Sequence, residues 1–259
     1  MLEIIDHPLR TDGPVGAGGI RELRLARPPV NALNAELLRR IAEGVEGAVN
    51  EAAVVITGQP GLFSAGLDVR GMLELDRAGI ENLFEQLWHA MRALAGARVP
   101  LVFGITGHSP AGGTVLAIHG DYRVMALGDF RLGLNEVQVG LFPGPPIYDA
   151  FRRLVGGHAE QLLTRGALVD PAAALRMGLV DELCDASQVV ARALALAREI
   201  AALPRGPMLR TRTMVRQQLV DLYGAADSAA TRRRFMQMGA DMWFAPEAQA
   251  RLRAMFTKR

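Results

Sequence analysis

Cysteine, lysine and long apolar stretches are scarce or missing in this chain of 259 residues. The only cysteine, Cys184, excludes an intrachain disulfide and a metal site built from a CxxC pair. No uninterrupted apolar run reaches the ~20 residues needed to cross a bilayer, so we expect no membrane span. The first residues carry acids and no apolar stretch of the kind found in secretion signals, which favours a cytoplasmic protein.

Several kinds of functional site are also missing from the sequence. His7, His89, His119 and His158 show no mutual spacing typical of metal ligands, so we expect no metal site. There is no P-loop, no GxGxxG fingerprint and no GxSxG serine turn. The formal net charge is only +2, and basic residues are spread along the chain among acids, which argues against a nucleic-acid partner.

Apolar residues make up 50% of the chain, enough for a sizeable core. Short apolar runs at 53–58, 101–105 and 121–125 predict strands, and intervening segments at 34–49, 80–94 and 112–117 predict helices. This alternation favours an α/β architecture with parallel strand pairing. Additional strands are predicted near 2–5 and 20–25 around a turn at 13–19, and additional helices at 158–165, 171–177 and 187–203. Prolines 204 and 207 end the last of these, so we expect a core over 1–203 and a helical C-terminal region over 204–259.

Two glycine-bearing turns attract attention. In the segment Phe63 to Asp68, a glycine would let the backbone turn sharply and leave the N–H of Leu67 free to face an anion. The alternative is an ordinary turn in which Asp68 caps the next helix. In the segment Ser109 to Gly113, Gly112 opens a helix, whose unpaired N–H groups stabilise an oxygen that gains negative charge. The alternative there is tight packing that tolerates no side chain.

A single acid, Glu136, follows within Gly133-Leu134-Asn135-Glu136 and has apolar neighbours. Burial among them would raise its pKa and make it a base near neutral pH, although most glutamates are simply solvated. Two N–H donors and one carboxylate are the minimum equipment for enolate chemistry on a thioester. Val115, one helical turn after Gly112, is apolar and cannot activate a water. Asp149 is read first as an acid at a helix start and only second as another acid of the site.

Several ordered motifs resemble those of the crotonase superfamily, the enoyl-CoA hydratase/isomerase family, over roughly residues 4–203. The motifs that carry the resemblance are Pro28 to Leu33, Val54 to Gly58, Phe63 to Asp68, Ser109 to Gly113, Gly133 to Glu136 and Gly178 to Asp181. The resemblance implies a spiral of ββα units and a helical C-terminal region that drives assembly into trimers, or into hexamers as dimers of trimers.

The resemblance also implies what the site residues do. The N–H groups of Leu67 and Gly112 would form an oxyanion hole for the carbonyl of an acyl-CoA thioester, with Glu136 as the catalytic acid–base. Coenzyme A would be part of the substrate, so no separate cofactor is expected. The residues expected to contact coenzyme A are Ser64, Ala65 and Asp68, with the segment around Ser64 to Leu67 against the adenine, and Arg24 and Arg27 at the phosphates.

Two departures from the family pattern bear on the reaction. Hydratases of the family carry two glutamates, and the first of these positions holds Val115 here while the second matches Glu136. They also have a glycine-rich stretch where this chain has Gly144 to Ile147. The motifs resemble instead the Δ3,Δ2-enoyl-CoA isomerase branch, which works with one glutamate. We therefore predict that the protein is a Δ3,Δ2-enoyl-CoA isomerase. The alternatives are a hydratase or another acyl-CoA enzyme of the family and, as a further one, a non-catalytic acyl-CoA binder.

Overall fold

The computed structural model describes residues 1–9, 18–224 and 228–257. Most of the turn predicted over 13–19 lies outside these residues, as do Lys258 and Arg259. The strands are β1 (Leu2–His7), β2 (Ile20–Leu25), β3 (Ala53–Thr57), β4 (Gly61–Leu62), β5 (Leu101–Ile105), β6 (Gly107–Pro110), β7 (Tyr122–Ala126), β8 (Leu132–Gly133) and β9 (Glu182–Cys184). The helices are α1 (Ala35–Glu46), α2 (Val69–Met72), α3 (Arg77–Ala95), α4 (Gly112–Ala117), α5 (Pro145–Val155), α6 (Ala159–Arg165), α7 (Pro171–Arg176), α8 (Val189–Ala201), α9 (Arg205–Gly224), α10 (Ser228–Trp243) and α11 (Pro246–Thr257).

The larger sheet has six strands in the order β1-β2-β3-β5-β7-β9. The first pair is antiparallel, and every later pair is parallel, as the alternation of strands and helices predicts. All five residues of β3 and of β5 are buried, which explains why these strands read as unbroken apolar runs. The α/β fold class is therefore confirmed.

A smaller sheet positions the residues of interest. Its strands β4, β6 and β8 are only two to four residues long and pair in parallel in that order. Each strand leads at its carboxyl end into one of the predicted motifs: β4 into the turn with Leu67, β6 into the turn with Gly112, and β8 into Glu136. Because carboxyl ends of parallel strands meet at one edge of a sheet, the three motifs converge.

The helix predictions hold with small shifts at the ends. Asn34 caps α1 as expected, since its side chain accepts a hydrogen bond from the N–H of Leu37 at 2.9 Å. That helix ends at Glu46, three residues before the expected position, and Gly47 caps it. Asp149 lies within α5, which begins at Pro145 rather than at the acid itself.

The C-terminal region is helical and packs against the core. Arg212 and Arg216 of α9 bind the carboxylate of Asp121 at 2.9–3.0 Å, next to the start of β7. Helix α10 packs along α3, and α11 contacts the turn that holds Glu136. Trp243 is fully buried in the same hydrophobic core as the strands. Trimer formation through this region stays a prediction.

Among the described residues, no helix combines the length and apolarity that a bilayer crossing requires.

Candidate active site

The first motif forms a turn that leaves one backbone donor free. Leu33 donates to the carbonyl of Gly66 at 2.8 Å, and its own carbonyl accepts from Asp68 at 3.0 Å. These two bonds hold the backbone on either side of Leu67. The N–H of Leu67 itself has no hydrogen-bond partner in the described part of the chain. It is therefore available to a ligand.

Buried polar side chains fix this turn from behind. Asn31 is fully buried, and its side chain donates to the carbonyl of Phe63 at 3.0 Å while accepting from the N–H of Arg27 at 2.9 Å. The hydroxyl of Ser64, also fully buried, donates to the carbonyl of Asn31 at 2.8 Å and accepts from Gly66 at 3.2 Å. Ser64 thus supports the turn, whereas Ala65 is exposed and lines the adjacent cavity.

The predicted coenzyme A contacts of Asp68, Arg24 and Arg27 fall on groups that already bind other protein groups. The carboxylate of Asp68 accepts from the N–H of Gly71 at 3.0 Å, which caps α2, and from Arg27 at 2.6 Å. Arg27 donates also to the carbonyl of Ala32. Arg24 binds the buried carboxylate of Glu22 at 3.0 Å. The Arg27–Asp68 pair therefore joins the first motif to the chain just before Pro28.

The second motif contains a strained residue. Ala111 has φ +48° and ψ −120°, a region that costs about 1–3 kcal/mol for a residue with a side chain. Its N–H donates to the carbonyl of Gly133 at 2.8 Å, which ties the turn to β8. Gly112 then opens α4, and its N–H also has no partner within the described ranges. Such strain is typical of functional positions.

The two free N–H groups lie side by side. An ideal Cβ placed on Gly112 would lie 3.2 Å from the nitrogen of Leu67 and 3.2 Å from the Cα of Gly66. Gly66, at φ +89°, would in turn bring a Cβ to 3.2 Å from the nitrogen of Gly112. A side chain on either glycine would therefore crowd the donors. The backbone nitrogens of Leu67 and Gly112 therefore belong to two closely packed turns.

Glu136 begins the 3₁₀ turn Glu136–Val139 that follows β8. One carboxylate oxygen, Oε2, is buried and has no hydrogen-bond partner among the described residues. Burial raises the pKa of Glu136 from its ordinary 4.5 to about 7. The pKa of Tyr148 nearby is raised as well, first by burial and then by the charge of Glu136. An acid with such a pKa can accept and return a proton near neutral pH.

One cavity of about 290 Å³ brings these groups together. Leu67, Gly112 and Glu136 all line it, as does Val115, which is 2% exposed. Asp149 is not part of its wall and pairs with Arg152. Within the described residues, the cavity therefore has one carboxylate and an apolar surface where a second acid would be needed. No group of three or more metal-ligating side chains occurs in the same ranges.

The remaining wall of the cavity comes from residues that the sequence analysis did not single out. Those on α3, α10 and α11 are Phe84, Leu87, Phe235, Met238, Gly239, Met242, Trp243, Leu252 and Met255, and further apolar ones come from α2, α5 and the segment after Glu136. A signal was present on α10, because residues 235, 238, 239, 242 and 243 follow helical spacing along one face. That pattern indicates a packed face but does not reveal that the face borders a cavity.

Comparisons with known proteins agree with this geometry. A family model described as Enoyl-CoA hydratase/isomerase matches residues 16–243. The Mus musculus protein "Enoyl-CoA delta isomerase 1, mitochondrial" is 33% identical over 219 residues, covering 82% of this chain and 75% of its own. The "Probable enoyl-CoA hydratase echA17" of Mycolicibacterium paratuberculosis is 30% identical over 232 residues, covering 88% of this chain and 89% of its own.

Among solved structures, the crystal structure of human mitochondrial delta3-delta2-enoyl-CoA isomerase matches with a TM-score of 0.86 and 27% identity. The match covers 98% of this chain and 97% of that one. The similar proteins include some named as isomerases and some named as hydratases, so the family contains both activities. The chain belongs to the enoyl-CoA hydratase/isomerase family, also called the crotonase superfamily, and resembles the isomerase branch of that family.

Proposed function

We propose that the protein is a Δ3,Δ2-enoyl-CoA isomerase, which moves the double bond of a 3-enoyl-CoA to the 2-trans position. The observation that carries this proposal is the cavity itself: in the described part of the chain it is lined by one carboxylate, that of Glu136 with its buried Oε2, and by two backbone donors without a partner there. An isomerisation moves one proton between two carbons of the same chain. One base on one face of the substrate is sufficient for it.

The proposed steps balance within the substrate and one side chain. The N–H groups of Leu67 and Gly112 bind the thioester oxygen, and Glu136 removes a proton from C2. The resulting dienolate carries negative charge on that oxygen, where the two donors stabilise it; one such donor typically contributes about 3 kcal/mol. The protonated Glu136 then returns the proton to C4. The double bond thereby moves from C3–C4 to C2–C3.

Water is kept away from the intermediate by the apolar surroundings. Val115 occupies the helix position one turn after Gly112 and presents no group that could orient a nucleophilic water. A dry cavity also strengthens the hydrogen bonds to the thioester oxygen. Both effects favour proton transfer within the bound chain over addition of water.

We further propose that coenzyme A lies along the outer side of the first turn, with exposed Ala65 in direct contact and Ser64 and Asp68 holding the turn in shape. Arg24 and Arg27 would reach the phosphates while part of each guanidinium is already engaged by a carboxylate. We therefore expect these two arginines to contribute less to coenzyme A binding than a free cation would.

The hydratase alternative rests on the 30% identity to a probable hydratase. A product assay separates the two activities. With a 3-enoyl-CoA we expect rapid formation of the 2-trans-enoyl-CoA. With the 2-trans-enoyl-CoA we expect 3-hydroxyacyl-CoA to form at least ~100-fold more slowly. The reason is that general acid–base catalysis by a second acid, which hydration would need, typically contributes at least that factor. Faster hydration than isomerisation would refute the proposal.

The pH dependence should report Glu136 directly. The base must be unprotonated to remove the C2 proton, and burial raises the pKa of Glu136 to about 7. We therefore expect kcat/KM for a 3-enoyl-CoA to be half-maximal near pH 7 and to fall about tenfold for each pH unit below that. A profile measured from about pH 5 to 9 that stays level down to the usual range of an exposed carboxyl would contradict this role.

A further inference from the structure

The part of the cavity wall formed by α3 and α10 contains aromatic side chains. Phe84 of α3 lines the cavity and meets Phe235 of α10 edge to face, with ring centroids 6.1 Å apart. Phe235 packs in turn on Trp88 at 5.4 Å, and Trp88 on Tyr223 of α9 at 5.3 Å. The Phe84–Phe235 and Trp88–Tyr223 pairs are edge to face, an arrangement that stabilises aromatic pairs, whereas Phe235 and Trp88 are tilted by 51°. Phe84 is therefore backed by a continuous row of aromatic side chains.

A glycine on α10 makes room for the ring of Phe84. An ideal Cβ on Gly239 would lie 2.8 Å from Cδ2, 2.9 Å from Cε2 and 2.9 Å from Cγ of Phe84. No real methyl group fits at such distances, so the ring occupies its place only because Gly239 lacks a side chain. Gly239 also lines the cavity. The contact between Phe84 and Gly239 thus fixes the position of the cavity boundary at the Phe84 ring.

We propose that Phe84, seated against Gly239, is the residue that limits the length of acyl chain the cavity accepts. This inference rests on the proposed function, in which the cavity holds the acyl chain of a coenzyme A thioester. A smaller side chain in place of Phe84 opens space behind the wall. A methyl on Gly239 pushes the ring out of its seat, and the open volume next to the ring is the cavity itself.

The two substitutions should therefore have opposite effects. The readout is the ratio of kcat/KM for 3-dodecenoyl-CoA to that for 3-hexenoyl-CoA. We expect Phe84→Leu, which removes three carbons, to raise this ratio roughly tenfold, a typical value for a pocket that gains room for about one methylene. We expect Gly239→Ala to lower the ratio by a similar factor. Should Phe84→Leu fail to fold, Phe84→Met takes its place, since methionine is flexible and fills the space differently.

Two further variants serve as controls. Gly206→Ala places the same methyl on helix α9, where no neighbouring atom of the described residues lies within 4 Å of the added Cβ, and should leave the ratio unchanged. Gly239→Ala in the Phe84→Leu background should return the ratio toward that of the wild type, because the methyl then meets a smaller neighbour. Equal ratios in wild type, Phe84→Leu and Gly239→Ala would overturn the inference.

Binding of saturated thioesters separates this inference from the proposed function. Kd values for hexanoyl-CoA and dodecanoyl-CoA need no turnover and should shift in the same two directions. Shifts in Kd without any isomerase activity would uphold the length limit and refute the isomerase. Isomerase activity with unchanged length preference in the kinetic and binding measurements would do the reverse.

Discussion

Replacement of Glu136 by glutamine should abolish most of the turnover of a 3-enoyl-CoA while leaving the fold and the affinity for acyl-CoA in place. The amide has nearly the same shape as the carboxylate but cannot accept and return a proton. General acid–base catalysis by a positioned side chain typically contributes 10²–10⁴-fold, and here the same group would act twice. We therefore expect kcat to fall by at least ~10³-fold, measured by the appearance of 2-trans-enoyl-CoA.

The matched control is Asp149→Asn, which makes the same chemical change on an acid outside the cavity wall. Asp149 lies outside the cavity wall and pairs with Arg152, an ion pair of a kind that contributes only about 0–1 kcal/mol to stability, so its loss should leave kcat nearly unchanged. Near wild-type turnover in Glu136→Gln would remove Glu136 from the mechanism. Equal losses in both variants would point to a second acid and bring back the hydratase interpretation.

Stability gives an independent check on the same substitution. Burial raises the pKa of Glu136 in the folded chain above its ordinary value, so the folded protein holds this proton more tightly than the unfolded one. Its contribution to stability is complete below about pH 4.5 and is lost as the pH rises through about 7. At pH 8 the ionised carboxylate therefore costs up to about 3 kcal/mol, a cost that glutamine avoids. The variant should be inactive yet at least as resistant to urea as the wild type at that pH.

The cost of an ionised Glu136 also fits its surroundings. A buried oxygen without a partner is rare in folded proteins and usually has a functional reason. Hydrogen bonds to Oε2 would stabilise the carboxylate and lower the pKa, which would make the group a weaker base. An unpartnered oxygen in an apolar cavity keeps the group reactive. The strained backbone of Ala111, which also lines the cavity, is a second unfavourable contribution to stability at this site.

The three site motifs could be found from sequence because each needs a special residue at a fixed place. Gly66 and Gly112 lie where side chains would crowd the donors, and Glu136 is an acid among apolar neighbours. Strands β3 and β5 could also be recognised from their unbroken apolar runs, because both faces of those strands are buried. Local pattern and final environment agree at these positions.

Other features depended on contacts that the sequence does not display. Strands β4 and β8 have two residues each, too few for any periodicity to show. Arg27 is visible as a cation, but its partner Asp68 lies 41 positions away, and only the fold brings them together. The same is true of the cavity wall, where Phe84 meets Gly239 across more than half of the chain. Long-range packing decided these cases.

Replacement of Gly112 by alanine should damage catalysis without harming the helix that it begins. Alanine is favoured over glycine in helices, so α4 should form at least as well. The added Cβ would lie 3.0 Å from Cδ1 of Leu33 and 3.2 Å from the nitrogen of Leu67, so one turn must move by a few tenths of an ångström. Loss of one well-placed oxyanion donor costs 10²–10³-fold, and we expect kcat to fall by roughly 10²-fold.

The kinetic pattern of that variant separates two roles for Gly112. Donors that act on the developing oxyanion stabilise the transition state more than the bound substrate, so kcat and kcat/KM should fall together while KM changes little. A rise in KM with unchanged kcat would instead mean that Gly112 only makes room for the acyl chain. Gly206→Ala again supplies the comparison, because that glycine also lies in the first turn of a helix and an added Cβ would meet no neighbouring atom within 4 Å in the described part of the chain. A selective loss in Gly112→Ala would show that the separation of the two backbone donors, rather than helix formation, sets the rate.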